Sequence, residues 1–330
     1  MKTLNPFKVI YCLLIPVILQ SCSNEIGVWK NEQIKQSNRD ELHALNAQVF
    51  KCLKANDTKS LGAYLSKELL DDNYTNRSVE LAGNKLKLDS FLNFNEYYVV
   101  NKYTGSDTIN TPKQGVNSFH LVYPGMAEEM YIAMFLPKNT KTLNRSMITA
   151  VYARYSYGWK LGKLDIGTYT FNGKTAPELY EQAKQEYKSG YLFCAANTMT
   201  LATTCSRPND IWQYLAEDEL YEFSKTVTNE ANAKYHYPIM LDGVSTKPRI
   251  IRVYFTTNDE GSYPTIGYQT HVNLKNIDAI KKENEEIRKN IGNVIPGIDK
   301  TNKIILYTAY NEMPVSTRVV PHYDMKDVLQ

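Results

Sequence analysis

Eleven successive apolar residues, Val9 to Leu19 (VIYCLLIPVIL), follow Lys2 and Lys8 at the start of the 330-residue chain, and they decide which residues are left to fold. As a helix the run reaches about 16 Å, half of a hydrocarbon core about 30 Å thick, so it is too short to span one. A positive n-region before a short apolar stretch makes a secretory leader. Losing residues 1–21 removes two lysines and no acid, which leaves 36 basic residues against 35 acidic. A surface so balanced has no field to attract nucleic acid. No later segment is long and apolar enough to cross a bilayer.

The leader ends in Leu19-Gln20-Ser21-Cys22. This resembles the lipobox of bacterial lipoproteins: an aliphatic residue, Gln20, a small residue, then the cysteine. The resemblance implies cleavage before Cys22, diacylglycerol on its thiol and an acyl chain on its amine. Ser23, not aspartate, follows, and among the next few residues only Glu25 is acidic. The expected location is therefore the outer membrane, facing the periplasm, with the cell surface as the alternative. Residues 22–38 are polar and aperiodic and are expected to form a lipidated tether.

From Asp40 the pattern turns helical, with Leu42, Leu45, Val49 and Cys52 on one stripe. Asn56-Asp57-Thr58 breaks it, and Leu61, Tyr64, Leu65 and Leu69 begin another helix. Strands are expected at 79–88, 116–123, 129–136, 147–157 and 159–169. A helix pair, an Asn-Asp break and a closing strand pair through Gly158-Trp159-Lys160-Leu161 resemble the NTF2-like superfamily over about residues 39–171. That resemblance implies a cone of helices packed on a curved antiparallel sheet.

Asn172-Gly173 is a turn signal, and Thr175-Ala176-Pro177-Glu178 fits a capping box. The predicted fold class is α+β in two domains, 39–172 and 173–330. The second is expected to be a helical hairpin (176–189 and 191–204) plus an antiparallel sheet. Its strands would be 248–257 and 263–274 around Asn258-Asp259-Glu260-Gly261, then 303–310 and 315–320, with a helix at 278–290. Along 263–274, Thr265, Gln269, His271 and Asn273 share a polar face opposite Ile266, Tyr268, Val272 and Leu274.

Signatures of chemistry fail on spacing. Gly167 and Gly173, ahead of Lys174-Thr175, are separated by five residues where a phosphate loop needs four. The five histidines are scattered, with no HExxH, and no GxSxG occurs. Cys194 and Cys205 in one helix would stand about 16 Å apart, so with Cys52 they are expected to be unpaired. No cofactor, metal or nucleotide is expected. The chain reads as a non-catalytic binding or assembly module of the cell envelope, with an envelope protein or glycan as partner. His120, Thr265, Gln269 and His271 are the candidate pocket or partner face. The alternative is an envelope enzyme that uses the NTF2-like cavity on a small molecule.

Overall fold

The computed structural model describes residues 25–71, 75–113, 115–258, 261–315 and 318–329, so Cys22 and the leader lie outside the described residues. Strand β1 (Gly27–Lys30) and a 3-10 turn (Asn31–Gln33) precede helix α1 (Gln36–Ala55). The tether expected through residue 38 is thus already structured from Gly27. The predicted α1 stripe is present, with Leu42, Val49 and Cys52 buried and Leu53 beside them. Asn56 ends the helix in the left-handed region (φ 56), and Asp57 caps α2 (Thr58–Gly62) by accepting the Ser60 amide at 3.0 Å.

After α3 (Lys67–Asp71) comes α4 (Thr75–Leu88), which corrects the strand expected at 79–88. Val79, Ala82 and Leu86 are all buried, and their spacing of three and four puts them on one side of a helix. Gly83 lets α4 lie directly on α1. A Cβ there would come within 2.6 Å of the Leu53 carbonyl oxygen.

Strands β2 (Phe91–Val100), β3 (Gly105–Asn110), β4 (Phe119–Gly125), β5 (Glu129–Pro137), β6 (Ser146–Tyr155) and β7 (Gly158–Thr168) follow. The first sheet has the order β1-β2-β5-β6-β7 and is antiparallel throughout. One face, with Tyr98, Tyr131, Ala133, Ile148 and Tyr152, packs on α1 to α4. The other face carries Tyr97, Met130, Ile132, Met134 and Met147. Burial on both faces explains why β5 reads as an unbroken apolar run and not as an alternation.

That second face is covered by α5 (Ala176–Lys188), α6 (Leu192–Thr204) and α7 (Glu217–Lys234), together with a small sheet β3-β4-β8 that includes β8 (Trp212–Tyr214). The capping box of α5 forms, with the Thr175 amide donating to Glu178 Oε2 at 2.8 Å. Asn172 and Gly173 turn the chain with φ of 51 and 76. Yet one apolar cluster runs from Tyr97 to Val227, so the boundary expected at 172/173 falls inside a shared core.

The rest is a second sheet, β13-β12-β11-β10-β9, formed by β9 (Ile239–Met240), β10 (Arg249–Asn258), β11 (Gly261–Gln269), β12 (Ile304–Tyr310) and β13 (His322–Val328). Helices α8 (Ile277–Val294) and α9 (Ile298–Thr301) link β11 to β12. The expected antiparallel sheet is mixed: α8 carries the chain back across one face, so β12 runs parallel to β11.

Ile280, Ile287 and Ile291 of α8 bury against Ile250, Ile266, Tyr268 and Ile305, and α6 adds Phe193 and Cys194 to the same core. The helix runs past Asn290, where its end was expected, because Ile291 extends the buried stripe. Gly292 also makes room for the Asp299 carboxylate, 2.7 Å from where a Cβ would sit. Residues 316 and 317 of the strand expected at 315–320 lie outside the described residues, and 315 and 318–320 are not in a strand; the last strand is β13, whose Tyr323 and Met325 pack inward. The molecule is mixed α+β.

Candidate functional site

Two places concentrate polar chemistry. The first is a seam inside the helical face of the first sheet. Arg39, His43 and Asn46 recur on α1 at spacings of four and three, so they look toward the sheet together. A register shift between Asn93 and Asn95 precedes Glu96, whose side chain is 3% exposed. Its carboxylate accepts from Arg39 Nε at 3.0 Å, from His43 Nε2 at 2.6 Å and from the Tyr131 hydroxyl. Deeper in, the Tyr152 hydroxyl donates to Asn46 Oδ1 at 2.7 Å.

Burial pushes the Glu96 carboxyl up, but the bonds from Tyr131 and His43 and the nearby positive charge of Arg39 outweigh it and hold the group below its ordinary value. A carboxylate held ionised by donors on three sides is a weak proton acceptor. Its oxygens are spent on fixing α1 to β2 and β5. His43, at 42% side-chain exposure, and Arg39, at 21%, reach solvent from this seam.

The second place is the outer face of the second sheet. Pairing sets two rows across β10, β11, β12 and β13. Tyr254, Thr265, Leu306 and Lys326 form one, and Arg252, Gly267, Thr308 and Asp324 the other. With Thr256, all of these but Arg252 and Gly267 line a cleft of about 320 Å³. Gly267 has a reason in this row. A Cβ there would sit 3.1 Å from Arg252 Cγ, so its absence lets Arg252 lie flat across the sheet. The guanidinium stands 4.7 Å from the Tyr254 ring centroid and donates to the Tyr310 hydroxyl at 2.9 Å.

Of the residues singled out from sequence, Thr265 and Gln269 do share this face, two positions either side of Gly267. Thr265 shares a hydroxyl bond with Thr256 at 2.7 Å, and Gln269 Oε1 accepts from Arg249 at 2.8 Å. His271 does not join them, because β11 stops at Gln269. The Thr270 hydroxyl donates to Glu283 and accepts the Val272 amide at 2.9 Å, which turns the chain and leaves His271 exposed. His120 sits in β4 of the small sheet, its Nε2 2.7 Å from Gln213 Oε1.

Arg252, Tyr254 and Lys326 lacked any sequence signal beyond strand alternation. Glu96 had one, an acid set within a strand's apolar residues. Cys194 and Cys205 are buried free thiols, and burial pushes both up to about 12. Compared with models of known families, with curated proteins and with solved structures, the chain matches none.

Proposed function

We propose that the chain is a lipoprotein held in the bacterial outer membrane through Cys22, facing the periplasm, with a first lobe built as an NTF2-like cone. It works there as a non-catalytic binding or assembly module for an envelope protein or glycan. One observation carries the reading: the outer face of the second sheet. Both faces of the first sheet are covered, and α8 covers the inner face of the second. The outer face presents Arg252, Tyr254, Thr256, Asp324 and Lys326 to solvent, on strands held in register. Arginine and tyrosine on a rigid support are the residue types that dominate binding energy at interfaces.

Crosslinking in the native envelope tests it. A discrete protein or glycan adduct is expected, lost in an Arg252→Glu, Tyr254→Ala variant that remains folded. A small substrate turned over by the purified protein, with activity lost on His43→Ala or His120→Ala, would replace this reading with the enzyme.

A further inference from the structure

The distance between the anchor and the folded chain is short. Only residues 23–26 separate Cys22 from β1, and the five steps from Cys22 to Gly27 span about 18 Å at most when fully extended. Whatever lies at the β1 end of the first sheet must therefore sit close to the bilayer. Pairing identifies that end. Gly27 opposes Val100, Val100 opposes Glu129, and Tyr155 opposes Gly158, so the β2–β3 and β6–β7 connections lie there.

These connections expose Tyr103 (73%) and Tyr157 (42%), and Ile26 beside them in the chain start is also exposed. Each tyrosine ring carries lysine. Lys102 Nζ stands 5.1 Å from the Tyr103 centroid, and Lys67 and Lys160 stand 5.3 Å and 5.9 Å from that of Tyr157. Tyr155 stacks on Tyr157 at 5.2 Å, which fixes its ring.

From this we infer that the strand-end rim bearing Tyr103 and Tyr157 is a membrane-docking surface that rests among phospholipid headgroups. The inference rests on the lipid anchor at Cys22 proposed above. Tyrosine prefers the headgroup level because its ring is apolar and its hydroxyl is wet, and a lysine stacked on the ring is placed to meet a phosphate. Glu25, Glu68 and Glu128 balance the lysines at this end, so the contact comes from the aromatic rings and not from net charge. It should therefore persist at high salt, which would screen a purely electrostatic one.

The opposite end of the same sheet carries the second sheet's hairpin. There Asn172, just past β7, clasps the β10–β11 hairpin, accepting from the Ser262 amide at 2.7 Å and donating to its carbonyl at 3.1 Å. A ten-residue strand such as β6 runs about 33 Å. Docking by the rim would hold that hairpin away from the bilayer.

Footprinting of tyrosine by hydroxyl radicals tests this on the full-length processed protein in phosphatidylethanolamine–phosphatidylglycerol vesicles, read by mass spectrometry. Tyr103 and Tyr157 should label severalfold less in vesicles than in detergent, at low and high salt alike, while Tyr254 labels equally in both. Equal labelling of Tyr103 and Tyr157 in the two states, with an acylated Cys22 peptide found, would overturn the docking and leave the anchor standing. A mature chain without acyl groups on Cys22 would overturn the anchor, and the docking with it.

Discussion

Glu96 shows how much a single residue can organise in this fold. Its carboxylate ties α1 to the sheet through Arg39, His43 and Tyr131, so Glu96→Gln removes a charge on which three donors converge. The expected cost at neutral pH is about 1–3 kcal/mol, the range for losing hydrogen bonds to a charged group. The pH dependence has a fixed sign. A carboxyl held below its ordinary value of 4.5 contributes fully above that value and loses its contribution as pH falls through the folded-state pKa. The gap between wild type and variant in urea titrations should therefore narrow below about pH 4.5. A gap that widened on acidification would contradict the assignment. At this scale the sequence was partly legible. Thr265 and Gln269 could be paired by alternation alone. Arg252 and Tyr254 stand two apart on one strand of the expected hairpin, but Lys326 could not be joined to them, because its row depends on β12 lying parallel beside β11.

At the level of elements, glycine marks where two elements touch. Gly83 stands inside α4, where alanine would be favoured by about 1 kcal/mol on helix propensity. Its place is kept by the Leu53 carbonyl oxygen, 2.6 Å from a Cβ. Gly83→Ala should therefore destabilise, by about 1–3 kcal/mol once the two helices have moved apart, measured as a lower urea midpoint. A stabilised variant would mean that α1 and α4 do not pack this closely. The same element shows why part of the secondary structure was misread. Val79 to Leu88 carries leucines and a valine close enough to suggest a strand, and its helical period emerges only when Val79, Ala82 and Leu86 are seen to bury on one side. Local signals were reliable where the chain itself supplies the partner, as at Asp57 with the Ser60 amide or Thr175 with Glu178. They did not find β13, because a strand at 322–328 rests on pairing with β12.

The whole molecule is stitched together by cores that ignore the sequence's turn signals. Asn172-Gly173 turns the chain, but α5 to α7 bury the face that carries Tyr97, Met130, Ile132 and Met147. A fragment ending at residue 172 would expose that face to water. It is expected to bind a hydrophobic dye and unfold without a sharp transition, and co-expression with 175–330 should restore cooperativity. A fragment 25–172 that unfolds sharply by itself would show that the lobes are independent. The α+β class was legible from periodicity, but the sharing of one core between halves was not, since contacts across long separations leave no local pattern. In this arrangement the β1 end of the first sheet and the hairpin of the second lie at opposite ends, and the open face of the second sheet is left to meet a partner. A photo-crosslinking residue placed at Thr256, on that face, and separately at Glu285, on the exposed side of α8, compares them in the native envelope. One discrete adduct from Thr256 and none from Glu285 is the predicted result. Equal, diffuse crosslinking from both, or an adduct from Glu285 alone, would contradict it.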